Sequence, residues 1–407
     1  MIAELLRSVC EMFGVLAAVA TIPGSIELLV VTTAALIPKR STATDSRNDV
    51  WRVAVVVPAH NEAENIASCV QSLLNTELYD MQMSVYVVAD NCEDETARIA
   101  KEAGAYVLVR SNLLQRGKGY ALHFAFTSLE PLGYDCVLVV DADTIVAKNF
   151  IVAAAGALRD GADAVQTRYL VRNVDQSTRT RLMGLALCAF NVLRPLGRER
   201  LGLSVGILGN GFGLRRQTLR LVPYLASSVV EDLEYHLSLV QAGFRVKFVN
   251  ETAVLGEIPV RGEGVNTQRS RWEGGRLRMM YLTAPKLLRG VLSGPLTFLE
   301  PLLDLLLLPL AFHVALLAVA LITPLFVVRY IGIAGICIVA LHLAAAIVVG
   351  GGSWRDVGTL ASAPFYVLWK LMLIPSLLRS ARSNHSWVRT RRNAEGPLED
   401  VSSAGPP

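Results

Sequence analysis

Charge is scarce in this sequence. Of 407 residues, 18% are charged, against about 25% in an average soluble domain. The net charge of +4 comes from basic residues scattered along the chain, so the electrostatic stripe of a nucleic-acid binder is missing. Six cysteines (Cys10, Cys69, Cys92, Cys136, Cys188 and Cys337) include no Cys-x-x-Cys pair and no Cys/His ligand spacing. That excludes a disulfide frame and a zinc site, and reduced thiols are expected. No internal repeat is present, and "GNGFGLRR" has neither the preceding strand nor the acidic residue of a dinucleotide fingerprint.

What is abundant is apolar surface, at 52% of residues, and it collects at the two ends. The run from Gly14 to Leu36 approaches the roughly 20 residues a bilayer span requires. It is too long for the core of a signal peptide and has no small-residue cleavage site, so it reads as a retained anchor. Lys39 and Arg40 come directly after it and no positive excess precedes it, which puts the segment beginning at Lys39 in the cytoplasm. After Leu296 come two apolar segments that read as spans. A third carries Pro364, Lys370 and Pro375 and reads either as an interfacial helix or as a third span. Two spans plus an interfacial helix would keep the arginine-rich stretch from Arg379 to Arg392 cytoplasmic. The final residues have the composition of a disordered tail.

Between Arg52 and Met280 short β-branched runs alternate with helical patterns. The strands are Val53 to Val57, "SVYVVAD", "YVLVR" and "DCVLVVDAD". Asn61 and Glu64 stand in capping-box spacing ahead of the first helix. Alternation of this kind implies an α/β fold with a mostly parallel sheet and helices on both faces. Ligands of such sheets bind beyond the carboxyl ends of the strands. The segments found there, "PAHNE", "ADNCEDET" and "DAD", are all acid-rich.

Asp141 and Asp143, two apart at a strand end, can point the same way and share one divalent cation, although a solvated turn has the same spelling. Glu231 and Asp232 open an amphipathic helix, where acids commonly serve as dipole partners; beside a metal site one of them could accept a proton. Lys118 lies between glycines at a helix start, suited to phosphate or simply to solvent. Gln268, Arg271 and Trp272 are spaced i, i+3, i+4 on one helix face, which suits a diphosphate and a stacked sugar, and equally an interfacial belt. Arg276 and Arg278, a turn or more later, are the candidates for lipid headgroups. Glu27, Glu300 and Asp304 lie inside apolar segments, where they suggest interior-facing polar contacts or an acceptor path, or for the last two the interface.

Taken in order, these motifs resemble the family 2 glycosyltransferases, and among them the membrane synthases similar to cellulose, chitin and hyaluronan synthases. The resemblance covers roughly Val53 to Tyr281 and the flanking membrane segments. It implies a GT-A-like fold with transmembrane helices at both ends, divided into an anchor at 1–40, a cytoplasmic transferase domain at 51–283, interfacial and transmembrane helices at 284–378, and a basic tail at 379–407. It further implies that Glu62 and Asp90 hold the uridine, that Lys118 contacts the nucleotide, and that Asp141 and Asp143 bind the nucleotide-sugar and its Mg²⁺ or Mn²⁺. Asp232 becomes the general base with Glu231 beside it, Gly209 and Gly211 face the acceptor, and Gln268, Arg271 and Trp272 grip the diphosphate and the acceptor sugar.

The implied reaction is an inverting transfer to a growing polysaccharide at the inner membrane, by a multi-pass protein in contact with membrane lipids, with export partners or further copies of itself as candidate associates. The alternatives are single addition to a lipid or lipid-linked acceptor and a non-catalytic transport or scaffold protein. The intact acids and Gln-x-x-Arg-Trp argue against the last. Ala89, His60 and Val230 depart from the synthase pattern, which weakens any claim about the sugar or polymer but leaves the reaction type standing.

Overall fold

The structure, a computed structural model, describes residues 2–38, 50–226, 228–258, 263–294 and 298–375, with 263–272 as backbone alone. Lys39, Arg40 and the tail at 379–407 lie outside the described residues.

Eight strands form one sheet: β1 Trp51–Ala59, β2 Met81–Asp90, β3 Tyr106–Arg110, β4 Cys136–Val139, β5 Ile145–Val146, β6 Ala164–Val171, β7 Phe212–Arg215 and β8 Val246–Gly256. Their order is β3-β2-β1-β4-β7-β6-β8-β5. The first four pair in parallel, with Val55 opposite Val85 and Leu138. β7 runs antiparallel to both β4 and β6, and β5 antiparallel to β8. The sheet is therefore mixed, more so than alternation alone suggests, because β7 has only four residues and escapes a pattern reading.

Residues 53–57 of β1 are an unbroken apolar run because both faces of the strand are covered. Val53, Val55 and Val57 pack with Ile66, Val70 and Leu158 on one side, and Ala54 and Val56 with Leu122 and Phe126 on the other. The first helix begins at Ile66, later than the expected cap. Asn61 instead takes a left-handed φ of 54° and its Oδ1 accepts the Glu93 N–H at 2.8 Å, so it makes a turn that Asn tolerates.

Between β6 and β7 the chain makes an insertion: helix Thr178–Cys188, a π turn Ala189–Leu193 and helix Arg194–Arg200. Leu185, Leu193 and Leu196 join one apolar cluster with Ala35 of the N-terminal helix and Ala345 and Ala346 near the chain's other end. The sheet and the long apolar helices thus share a core. Two helices, Ile2–Ala35 and Phe326–Gly350, are long and apolar enough to cross a membrane. Just ahead of Phe326–Gly350 comes a bent pair of apolar helices, Leu299–Leu306 and Leu310–Ile322, at 73° to each other. Leu307 is extended and Pro309 precedes the second helix, as proline requires. Of the third apolar segment, the described residues form helices Trp354–Thr359 and Ala363–Met372, each shorter than a span.

Buried polar contacts hold this assembly in register. Ser25 and Thr32 hydroxyls meet His313 Nε2 at 3.1 Å and His342 Nδ1 at 2.7 Å. Arg194 contacts Glu27 and Asp304 at 2.9 Å each, and Arg198 contacts them at 2.8 and 2.7 Å and Glu300 at 3.1 Å. The three acids thus make interior polar contacts. Arg276, expected at lipid headgroups, turns inward and donates to the Asp304 backbone oxygen, because a buried carboxylate already faces it; Arg278 is exposed.

Helix Arg194–Arg200 approaches the N-terminal helix so closely that a Cβ on Gly197 would lie 2.1 Å from the Val31 carbonyl oxygen. A backbone cannot step aside cheaply. Gly197→Ala is expected to destabilise the protein by about 3 kcal/mol, read as a lowered unfolding temperature in detergent. Gly358→Ala, where a Cβ meets nothing within 4 Å, leaves it unchanged or slightly raised. Equal behaviour of the two variants would contradict the docking.

Candidate active site

Parallel β1, β2 and β4 end on the same edge, so the residues just beyond them converge. Glu62, Asp90, Asp141 and Asp143 all line one cavity of ≈ 1870 Å³, together with Lys118, Gly209, Glu231 and Asp232. Gly211 does not line it. That glycine has φ 68° and lies within the sheet, where a Cβ would strike Thr167 and Val254. Gln268, Arg271 and Trp272 fall on helix Glu263–Ser293, but their side chains are outside the described residues.

At one end of the cavity Asp90 is buried, and its Oδ1 accepts from Arg110 Nη1 at 2.6 Å and Asn91 Nδ2 at 3.0 Å. His60 Nδ1 meets the Asp90 carbonyl oxygen at 2.7 Å. Glu62 Oε2 accepts from Asn65 at 3.3 Å. Arg110, which sequence reasoning missed, pairs with Asp90 and fixes its position.

At the centre the Lys118 ammonium is ion-paired with Asp141 Oδ1 and donates to the Gly209 carbonyl oxygen at 2.7 Å. Burial opposes its charge, but Asp141, Glu231 and Asp232 together hold it above the usual lysine range. The two adjacent carboxyls are raised. Burial is the main cause for both; the Asp232 charge adds to it for Glu231, while the Leu233 N–H at 2.8 Å and Lys118 restrain Asp232. Gly209 has φ 76°, and a Cβ there would come within 3.2 Å of Asp232 Oδ2. Glycine keeps that carboxylate accessible.

Two buried amides, also missed, build the floor. Asn210 Oδ1 accepts the Asp141 N–H at 3.1 Å and its Nδ2 donates to Thr144 Oγ1 at 2.8 Å. Gln166 donates to the Asn210 carbonyl oxygen at 2.8 Å and accepts the Leu208 N–H at 2.9 Å. The asparagine between two glycines in "GNG" was the available signal. Val230, one of the departures from the synthase pattern, packs where a Cβ on Gly275 would touch it at 2.7 Å, tying the Glu231 helix start to helix Glu263–Ser293.

Residues 51–275, more than half of the chain, match the family model described as glycosyltransferase like family 2. The chain belongs to this family. The glycosyltransferase is 25% identical over 240 residues to the probable glycosyltransferase YdaM of Bacillus subtilis, covering 57% of this chain and 56% of that one. It is 28% identical over 236 residues to the beta-monoglucosyldiacylglycerol synthase of Trichormus variabilis, covering 56% and 50%. The chain spans about half the length of these curated relatives. Among solved structures it is similar to the mannosyltransferase PcManGT from Pyrobaculum calidifontis, in complex with GDP-Man and Mn²⁺. The TM-score is 0.54 and the identity 17%, over 91% of this chain and 97% of that one. The likeness confirms the GT-A-like fold.

Lys118 opposes the burial that raises Glu231 and Asp232, so its loss should raise both pKa values further. Lys118→Met is expected to move the acid limb of the kcat/KM profile of the glycosyltransferase upward by about one pH unit, besides lowering its plateau. An unmoved limb would remove Lys118 from this electrostatic role.

Proposed function

We propose that this glycosyltransferase is membrane-embedded and moves a sugar from a UDP-linked donor to a lipid or lipid-linked acceptor by a single inverting displacement. The observation that carries the acceptor assignment is the cavity itself. From Asp141 and Asp232 it continues without interruption between the apolar helices, where Leu185, Leu310, Val314, Val339 and Val367 line it. Such a lining suits an alkyl chain better than a hydroxyl-rich polymer. A second reading, extension of a polysaccharide, is favoured by Gln268, Arg271 and Trp272 on one face of their helix.

In the proposed division of labour the N-terminal 40 residues anchor the chain, 51–283 form the transferase domain on the cytoplasmic face, and 284–378 supply the membrane-side cavity walls. Glu62 and Asp90 hold the nucleoside. Asp232 takes the acceptor hydroxyl proton while that oxygen bonds to the anomeric carbon and the bond from that carbon to the diphosphate breaks. Lys118, together with Arg271 by its place in the motif, stabilises the departing charge. An aspartate is a modest base, and burial of Asp232 moves its pKa toward neutrality. Positioning supplies much of the rest.

Asp141 and Asp143 fit a hard divalent cation: both face the cavity, both offer carboxylate oxygens, and Asp141 already attracts the Lys118 cation. Among the described residues no group of three or more potential ligands exists, so this pair is the candidate for Mg²⁺ or Mn²⁺. Such an ion, when bound, neutralises charge on the diphosphate.

Membranes containing the full chain, offered a panel of nucleotide sugars with Mg²⁺ or Mn²⁺, test this reading. The expected result is release of UDP and a labelled product that partitions into organic solvent. Asp232→Asn should lower kcat by about 10²- to 10⁴-fold, and Asp143→Ala should abolish metal-dependent turnover. Full activity in both variants would sink the mechanism. A water-soluble polymer would select the second reading, and Trp272→Ala should then stop its growth with the protein still in the membrane.

A further inference from the structure

Helix Ala363–Met372 is a short wall of the cavity. Pro364, Val367 and Lys370, spaced i, i+3, i+6, lie on the cavity. Phe365 and Met372 face away from it and are 75% and 79% exposed. A ten-residue helix is marginal by itself, so its position depends on what it is tied to. Lys370 is 5% exposed; its ammonium is 2.5 Å from Glu273 Oε1 and 5.4 Å from the Phe312 ring centroid. Trp369 lies 4.5 Å beneath the Arg179 guanidinium of the inserted helix Thr178–Cys188. The contacts of this wall thus include a buried ion pair to helix Glu263–Ser293 and ring contacts to Arg179 and to Phe312 of helix Leu310–Ile322.

The other membrane-side walls are fixed differently. The N-terminal helix is bonded to the helices on either side of Thr323 through Ser25 and Thr32, and the Arg194 and Arg198 cluster ties it to the inserted helix and to Asp304. Ala363–Met372 combines shortness, apolar residues both on the cavity and on its exposed side, and a buried charge pair. Glu273 also comes immediately after Trp272, so the pair joins this wall to the helix turn that carries the acceptor-gripping motif.

We propose that the lipid acceptor's chain enters the cavity from the bilayer past helix Ala363–Met372, and that Lys370 is a positioning residue whose ion pair with Glu273 sets this wall against the helix bearing Gln268, Arg271 and Trp272. The inference rests on the lipid-acceptor reading. Removing one partner of a buried pair leaves the other charge uncompensated. Lys370→Met therefore loosens the wall, whereas Glu273→Lys with Lys370→Glu keeps a pair of opposite charges.

The test uses the full chain in vesicles of extracted membrane lipid that carry a trace of phosphatidylcholine with a photoactivatable acyl chain. Wild type is expected to be labelled within 363–372. In Lys370→Met the apparent KM for lipid acceptor, from dilution of the extract into inert phosphatidylcholine, should change by about tenfold. The nucleotide-sugar KM should change far less, and amide exchange at 363–372 should quicken. The charge-exchanged double variant should recover most of the acceptor KM. A wild type that glycosylates lipid but is labelled elsewhere overturns the entry route. Equal shifts in both KM values, or no recovery in the double variant, overturn the role of Lys370. A wild type that releases UDP and adds sugar to no lipid instead removes the proposed function, a separate outcome.

Discussion

Three carboxylates and three guanidinium groups, Glu27, Glu300, Asp304, Arg194, Arg198 and Arg276, meet where the insertion and the apolar helices converge. Their charges balance, and the contacts come from four separate stretches of chain. Breaking one side of such a cluster costs about 3–5 kcal/mol, although well-packed apolar residues could match its stability. What the ions add is direction. Apolar helices slide past one another at little cost, whereas a guanidinium shared by two carboxylates accepts one arrangement. The apolar cluster joining Leu193 and Leu196 to Ala35 and Ala345 supplies adhesion; the ions supply register.

The cavity end near Lys118 follows a related logic, but there the formal charges do not balance. Asp141, Glu231 and Asp232 surround one ammonium, and Lys118 does not neutralise them all. The excess of negative charge suits a site that gathers a divalent cation, while raised carboxyl pKa values favour a base that works near neutrality. Asn210 and Gln166 hold the geometry by hydrogen bonds that carry no net charge, so the floor is rigid without altering the charge balance.

Much of this was legible in the sequence because the governing signals are local. β1 had to be buried on both faces, the acids had to come after strand ends, and Lys118 and Glu231 did open helices. What stayed hidden depends on contacts between distant segments. Arg110 reads as a strand residue until Asp90 stands beside it, and Asn210 as a loop residue until the Asp141 N–H reaches it. The sequence marked Glu27 and Asp304 as anomalies but could not name their partners, since Arg194 and Arg198 lie more than 100 residues from either. Arg276 was misplaced for the same reason. A helix face is visible in periodicity, but which neighbour it meets is not.

The antiparallel junction of β4 with β7 divides the sheet into two halves with different attachments. β3, β2, β1 and β4 present the residues assigned to the nucleotide, and β7, β6 and β8 support the inserted helices and the membrane side. Polar links that cross this boundary near the site include Lys118 to the Gly209 carbonyl, Asp141 to Asn210 and Asn210 to Thr144. A protein joined in this way is modular across its seam. Substitutions that re-tailor the recipient pocket can accumulate on one side while the donor half keeps its chemistry, provided the short stretch 208–211 holds its shape.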